Sequence, residues 1–308
     1  MWWRAGCTLR WSRKATPRVC RPGRSLAVRP QRRDTAGVSH ELHLLAALSA
    51  LSPPKLADVN ADIREVCAAV TGLSPLPAES RGGAVDPMVS EFAEQFSVDV
   101  TGINPAQRLA FSDLLGVETF RVATLIFIAD FVPRVLAGLS SLGVGVGVAV
   151  DGDIWDHDTD PGDFVLDVFG PAVGRMRALD PVTTEIVRLR GARVHNCRLC
   201  KSLREATALE AGACETLYDQ IDRYETSEMS DRHKAALRYV DAMIWTPSQA
   251  PGDELLRHFS HEEAVELTLD VMRNASNKVA VALGVDAPRV SEGTEQYRLG
   301  ADGQPIYT

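Results

Sequence analysis

The side chains that can carry covalent chemistry are concentrated in residues 185–204, EIVRLRGARVHNCRLCKSLR. Cys197 and Cys200 have two residues between them, a spacing that can close a small disulfide and is typical of thiol–disulfide exchange. Glu185 lies twelve residues before Cys197, and Arg204 lies four residues after Cys200. The segment therefore predicts thiolate chemistry, with a carboxylate and a cation nearby in the chain.

A helix that begins at the cysteines would favour the thiolate form. Asn196 is predicted to cap a helix over residues 197–210, whose first backbone N–H groups would stabilise a negative sulfur. Arg204 would then follow Cys200 by one turn on the same face and lower the pKa of the thiol further. These two effects together predict a nucleophilic cysteine at neutral pH.

Glu185 can meet the cysteines only if the chain turns back on itself. Twelve residues of straight helix rise by roughly 18 Å, which is too far for a direct contact. The sequence places the reversal at His195–Asn196, with two helices lying antiparallel. His195 would then be close enough to Cys197 to act in proton transfer.

Three interpretations of the cysteine pair stay open at this point: a redox dithiol, a zinc site and two buried structural cysteines. A zinc site needs two further ligands, for which Cys214, His195 and His233 are available, but no second paired motif exists. A thioredoxin-type motif would follow a strand in an α/β unit, and no such strand is predicted here.

Helical signals dominate the elements that must position these residues. Helix starts with a capping residue are predicted at Asn104–Pro105, Asp180–Pro181, Ser230 and Ser260. Residues 117–139 and 261–283 are predicted to form long helices. No run of alternating apolar and polar residues indicates strands, so the predicted fold class is all-α.

The two halves of the chain are related by a shift of 144 residues. The shift places Arg134 on Lys278, Glu41 on Glu185 and the first long helix on the second. We therefore predict an internal duplication whose first copy lacks the thiol pair. The predicted organisation is a basic, disordered N-terminal extension (1–40), a first helical repeat (41–142), a Gly- and Asp-rich linker (143–178) and a C-terminal domain with the CxxC motif (179–308).

Composition restricts the class of protein. The chain has 308 residues, 45% hydrophobic, and six scattered cysteines, which predicts a globular protein in a reducing, cytoplasmic compartment. Residues 1–33 hold nine arginines and one lysine, whereas the remainder carries −18, which argues against a nucleic-acid surface on the body. The longest apolar stretch, residues 122–142, contains Asp130, Pro133 and Arg134, which argues against a membrane span.

Taken together, the Glu-x11-Cys-x-x-Cys arrangement on a helical chain resembles the carboxymuconolactone decarboxylase / alkylhydroperoxidase D superfamily. The segment HFSHEEAVELTLDVMRNASNKVAVALGV, with its Asn274-x-x-Asn277-Lys278 turn, also looks like the closing helix of that family. The resemblance is best over residues 179–288. It implies an alkylhydroperoxidase D-like helical bundle, in two tandem copies with a degenerate first copy, and a homo-oligomer.

The resemblance also implies roles for the residues. Cys200 would be the peroxidatic thiolate, Cys197 its resolving partner, and Glu185 the acid/base end of a proton relay. The relay histidine of the family falls on Arg204, which can stabilise a thiolate but cannot shuttle protons. His195 is the candidate substitute, and the departure at Arg204 predicts a slow peroxidase or a changed reaction.

The implied activity is reduction of a hydroperoxide through a dithiol/disulfide cycle, with no metal, haem or nucleotide cofactor. An external dithiol, carried in relatives by a lipoyl-bearing protein, would reset the enzyme. Two alternatives remain: lactone decarboxylation in a cationic pocket, and a degenerate redox-sensing or structural scaffold. Four arginines are the candidates for the cationic pocket: Arg188, Arg190, Arg193 and Arg204.

Overall fold

The computed structural model describes residues 36–79, 82–147 and 155–307. Of the basic extension predicted for residues 1–40, residues 1–35 lie outside the described part of the chain. The first half contains α1 (Ala36–Ala50), α2 (Ala57–Thr71), α3 (Pro87–Asp99), α4 (Pro105–Leu115) and α5 (Thr119–Ser141). The connecting region contains α6 (Pro161–Asp163), a π-helical turn (Phe164–Phe169) and α7 (Gly170–Gly174).

The second half is also mainly helical. Its helices are α8 (Pro181–Val194), α9 (Arg198–Lys201), α10 (Ala206–Glu210), α11 (Glu215–Tyr218), α12 (Asp231–Trp245), α13 (Gly252–Leu256), α14 (His261–Ala275) and α15 (Lys278–Leu283). Its strands are β1 (Leu203–Glu205), β2 (Glu295–Leu299) and β3 (Pro305–Tyr307). Short 3-10 turns cover 54–56, 100–102, 116–118, 221–226 and 247–249. The fold is thus mostly α-helical, as the sequence predicts.

The predicted caps start the helices where expected. Asp180 accepts the Thr183 N–H at the start of α8, and Ser230 accepts the His233 N–H at the start of α12. Full capping boxes begin α4, at Asn104, and α14, at Ser260. These side chains satisfy backbone N–H groups that the first helical turn leaves unpaired, which is why they fix the element boundaries.

Helix α5 forms the centre of the core. It packs against α1 and α2 from its own half and against α14 and α15 from the other. In the described part of the chain, one helical stretch, Pro105–Ser141, is long and apolar enough to cross a membrane, but 89% of its apolar window is buried. Burial on this scale fits the core helix of a soluble protein.

The helices of the two halves correspond at the 144-residue shift. Moving α3 by 144 gives 231–243, which lies within α12, and moving α1 gives 180–194, which covers α8. Moving α5 gives 263–285, which spans most of α14 and α15. The correspondence supports internal duplication, which remains a prediction.

A buried charge cluster joins the two halves. Asp130 accepts a hydrogen bond from Arg134 Nε at 2.8 Å and another from Lys278 Nζ at 2.7 Å. All three side chains are buried. Arg134 and Lys278 are equivalent under the 144-residue shift, so one carboxylate forms an ion pair with a cation from each half.

Three sequence expectations about the fold require correction. Residues 197–210 do not form one helix: α9 ends at Lys201, β1 follows, and α10 begins at Ala206. Strands are present, because β1 pairs in parallel with β2, and β2 pairs with β3 in antiparallel fashion. The helix expected over 261–283 divides at Ser276–Asn277. In the first two cases the pairing of β1 with β2, distant in sequence, overrides the local helical preference.

The connecting region is partly structured. Asp156 forms an isolated bridge with Leu51, and Asp160 caps α6 by accepting the Gly162 and Asp163 N–H groups. Buried side chains such as Phe169 then pack the π-helical turn and α7 against the core. The acidic residues here therefore cap turns, and residues 161–174 are helical where the sequence indicates a linker.

Candidate thiol site and its surroundings

Cys197 and Cys200 form a disulfide directly after α8, with their Cα atoms 5.3 Å apart. Asn196 adopts a left-handed backbone conformation, with φ of 50°, which reverses the chain between α8 and the cysteines. Cys197, rather than Asn196, is the residue that caps α9. Its Sγ accepts the Cys200 N–H at 3.2 Å. The predicted reversal is therefore present at Asn196, and the cap of the next helix lies one residue later than predicted, at Cys197.

Both sulfur-bearing residues are buried. Cys197 is 1% exposed and Cys200 is 4% exposed. An oxidant or a reductant therefore needs the surrounding segments to open before it can touch sulfur.

Asp286, from the segment after α15, anchors the cysteine turn. Its Oδ2 accepts the Arg198 N–H at 2.8 Å, and its carbonyl accepts the Leu199 N–H at 2.8 Å. Its Oδ1 also forms an ion pair with the Arg198 guanidinium at 2.6 Å. Burial works against the charged form, but these hydrogen bonds outweigh it and lower the pKa of Asp286. The sequence analysis missed this residue, because nothing local connects it to a motif 88 residues earlier.

Glu185 lies beneath the turn, paired with Arg188. Arg188 donates to both carboxylate oxygens, and it also donates to the carbonyls of Cys200 and Leu203, both at 2.8 Å. Glu185 Oε1 accepts the Glu205 N–H at 3.1 Å. The fold therefore brings Glu185 to the cysteine motif, but through Arg188 and the backbone rather than through a bond to sulfur.

Arg204 does not face the thiols. It lies on β1, where its guanidinium forms a two-bond ion pair with Glu215, at 2.7 and 2.9 Å, and lies over the Tyr218 ring. Its Nη1 donates to the carbonyls of Lys201 and Leu203. The expectation that Arg204 stabilises a thiolate is therefore wrong in this geometry, because the strand turns its side chain towards α11.

His195 is buried at the C-terminal end of α8. Its Nε2 has no hydrogen-bond partner among residues 36–79, 82–147 and 155–307, and its ring meets the Phe131 ring edge-on at 6.0 Å between centroids. Burial lowers the pKa of His195 well below its usual value, and the nearby charges of Lys278 and Arg134 lower it further. The imidazole is thus neutral, with no hydrogen-bonded path to the cysteines in the described residues.

The zinc and lactone alternatives lack the groups they require. The cysteine pair is a disulfide, and the described residues hold no group of three or more His, Cys, Asp or Glu side chains placed for a metal ion. The four candidate arginines are all paired with carboxylates: Arg188 with Glu185, Arg190 with Asp241, Arg193 with Asp222 and Arg204 with Glu215. They do not form a free cationic pocket.

Comparison with known proteins gives close relatives but no activity. No protein-family model and no solved structure matches the chain. Two proteins of Mycobacterium tuberculosis, "Uncharacterized protein MT2376" of strain CDC 1551 / Oshkosh and "Uncharacterized protein Rv2313c" of strain H37Rv, are each 53% identical to it over 276 residues. The match covers 85% of this chain and 96% of each relative. Similarity over nearly the whole length of both relatives shows that the chain belongs to the family of these two mycobacterial proteins.

Proposed function

We propose that this protein is a thiol-dependent hydroperoxidase of the alkylhydroperoxidase D type, with Cys197 and Cys200 as its redox pair. The observation that carries the proposal is the disulfide at the reversal after α8, in which Cys197 Sγ accepts the Cys200 N–H. A backbone N–H directed at the Cys197 sulfur favours its thiolate, which is the form that attacks a sulfenic acid at Cys200 and closes the disulfide.

The proposed cycle begins with the reduced pair. The Cys200 thiolate attacks the terminal oxygen of ROOH, the O–O bond breaks, and the alkoxide takes a proton to leave as ROH. Cys200 is then a sulfenic acid. The Cys197 thiolate attacks its sulfur to form the disulfide, and the hydroxide that leaves takes up a proton from solvent to become water. A dithiol reductant, such as a lipoyl-bearing protein, restores both thiols and becomes a disulfide itself.

The surroundings of the pair support a slow enzyme. Among the described residues no side chain hydrogen-bonds either sulfur. Arg204 binds Glu215 instead, and the ring of His195, the candidate base, lies against Phe131. Loss of a general base typically costs about 10²–10⁴-fold in rate. Because both cysteines are buried, the cycle also includes an opening step before the oxidant or the reductant reaches them.

A redox sensor is the second candidate, and the burial of the pair favours it. A sensor forms the disulfide once and keeps it, whereas an enzyme is reset by its reductant at every cycle. Arg204 occupies the position of the relay histidine, but it links β1 to α11 through its ion pair with Glu215 and does not contact the cysteines through a hydrogen bond. This arrangement is consistent with a pair that oxidises but does not turn over.

Turnover with cumene hydroperoxide and dihydrolipoamide tests the proposal. We expect hydroperoxide consumption that continues for many equivalents in the wild type and stops in Cys200→Ser and Cys197→Ser. Cys67→Ser is the matched control, because Cys67 is a buried free thiol in α2 whose pKa is raised to about 12 by burial and by Asp130. Activity that survives Cys200→Ser would overturn the proposal.

Peptide mass mapping after one equivalent of hydroperoxide separates the two candidates. A Cys197–Cys200 disulfide that forms quickly, without sustained consumption of oxidant when dihydrolipoamide is present, would identify a sensor. Thiols that stay unmodified throughout would exclude both.

A further inference from the structure

A cavity of about 100 Å³ lies between α8, α14 and β2 and is separate from the disulfide, since neither cysteine lines it. Its inner wall consists of buried side chains, among them Glu185, Glu266 and Tyr297. Arg177 and Thr207 are exposed and mark where the cavity meets solvent.

Glu266 is the acid of this cavity that, when it is ionised, has no counter-ion within the described parts of the chain. Its Oε2 accepts the N–H groups of Ala178 and Leu179. Its Oε1 makes no hydrogen bond, and the carboxylate makes no ion pair, within the described parts of the chain. Glu266 is only 3% exposed, so its carboxylate meets water or a ligand through this cavity.

The other acids that line the cavity are already satisfied. Asp270 forms an ion pair with Arg273 at 2.7 Å, and Glu185 is paired with Arg188. The Glu205 carboxylate also makes no ion pair in the described residues, but it accepts the Ala208 N–H and is partly exposed to solvent. Glu266 is therefore the buried carboxylate of this lining that a positively charged ligand would complete.

The first half of the chain shows that this position does not need polar groups for packing. Glu266, Asp270 and Arg273 lie 144 residues after Val122, Ile126 and Ala129 of α5, and these three are buried apolar residues. The equivalent helix in the first half therefore packs without charges there. In the second half, Glu266 accepts the Ala178 and Leu179 N–H groups through one oxygen, and its other oxygen is the polar atom that these bonds leave unused.

We propose that this cavity binds a small organic ammonium ion, whose N–H groups bind Glu266 Oε1 and whose short alkyl part lies against Leu179, Leu299 and Tyr297. Charge-assisted hydrogen bonds to a buried carboxylate are about twice as strong as neutral ones. The apolar residues favour a carbon chain over a hydrated metal ion. The proposal stands on the cavity alone and does not rest on the thiol chemistry.

Binding is coupled to a proton on Glu266. Burial, and then the charge of Asp270, raise the pKa of Glu266 to about 8, which the two backbone N–H groups and Arg177 only partly offset. The charged or titratable groups around it are Asp270, Arg273, Arg177, Glu185, Arg188, Glu205 and Tyr297. Below pH 8 the empty site is therefore protonated, and an ammonium ion must displace that proton.

Isothermal titration calorimetry with n-butylammonium is the test. At pH 7, in two buffers that differ in ionisation enthalpy, we expect saturable binding with release of a proton. Affinity should rise with pH up to about 8 and then level off. Glu266→Gln should weaken binding by about tenfold or more, and Glu262→Gln, an exposed acid in the first turn of α14, should leave it unchanged.

Neutral and anionic ligands of the same size test whether binding requires a positive charge. Binding of n-butanol or butyrate as tight as that of n-butylammonium would overturn the proposal, as would binding without proton release. Glutamine keeps an oxygen for the Ala178 and Leu179 N–H groups, so the variant is expected to fold. The proton-release measurement uses the wild type and does not depend on that variant. Binding should persist in Cys200→Ser, which separates this inference from the proposed peroxidase.

Discussion

Arg188 holds both carboxylate oxygens of Glu185, through Nε at 2.6 Å and through Nη2 at 2.8 Å. Both side chains are buried, and the rest of the guanidinium supports the backbone carbonyls of the cysteine turn and of β1. The carboxylate that the sequence indicates as a proton donor is therefore also a structural part of the turn. Its removal would change stability as well as chemistry.

Replacement of Arg188 by alanine should destabilise the protein strongly. The change leaves Glu185 buried without a counter-ion and two carbonyls without a donor, so we expect a loss of about 3–5 kcal/mol in the free energy of unfolding. Arg193→Ala is the matched control on the same helix, because its partner Asp222 is 62% exposed and such a pair is worth about 1 kcal/mol or less. Urea unfolding measures both, and equal losses would contradict the prediction.

The two thiols of the reduced protein should differ in acidity. The N–H of residue 200 donates to Cys197 Sγ, which stabilises a thiolate at Cys197. We therefore expect the pKa of Cys197 to lie below that of Cys200. Thiolate absorbance as a function of pH, compared between Cys197→Ser and Cys200→Ser, measures the order. A lower pKa for Cys200 would show that the bond is not retained on reduction.

His195 should contribute to acid denaturation and little to catalysis. Its pKa in the folded state lies below the unfolded value of about 6.5, so the unfolded chain binds the proton first as the pH falls. Stability is thus complete above pH 6.5 and declines below it, and His195→Leu should reduce this decline. Thermal unfolding between pH 5 and pH 7.5 gives the comparison, with His233→Gln as the control for a less buried histidine.

The same variant tests the proton relay. Because the described residues offer His195 no path to sulfur, we expect His195→Leu to reduce the peroxidase rate by much less than the ~10²–10⁴-fold typical of a lost general base. A loss of that size, in a variant that still unfolds cooperatively, would show that His195 takes part in proton transfer and would contradict this prediction.

Glu266 should make the protein less stable as the pH rises. Its folded pKa of about 8 lies above the unfolded value of about 4.3, so between these values the folded protein holds a proton that the unfolded chain has released. The stability that this proton contributes is complete below about pH 4.3 and is lost as the pH rises through 8. Glu266→Gln should flatten this dependence in unfolding experiments at pH 5 and pH 8.5, whereas Glu262→Gln should not.

The starts of the helices could be predicted from the sequence, because capping residues act over two or three positions in the chain. Asp180, Ser230 and Ser260 start helices because their side chains bond to N–H groups two or three residues away. The positions of Arg204 and β1 could not be predicted in this way. Residues 203–205 pair with β2 about ninety residues later, and that contact, rather than helix propensity, decides where the guanidinium points.

The thiol site likewise combines features that neighbouring residues determine with features that distant contacts determine. The reversal at residues 195–196 and the approach of Glu185 to the cysteines were predictable from spacing and turn chemistry. The support from Asp286 and the neutral His195 were not, because both depend on elements that meet only in three dimensions. The counter-ion shared between Arg134 and Lys278 was equally hidden, although the 144-residue shift had already aligned the two cations.

The anchoring of the cysteine turn by Asp286 and β2 has a consequence for biosynthesis. A chain is made from its N-terminus, so Cys197 and Cys200 leave the ribosome before the residues that hold and cover them. During that interval the turn has no support from Asp286, and β1 has no partner strand. The newly made thiols are therefore more open to oxidants and to other thiols in the cell than the buried pair of the finished protein.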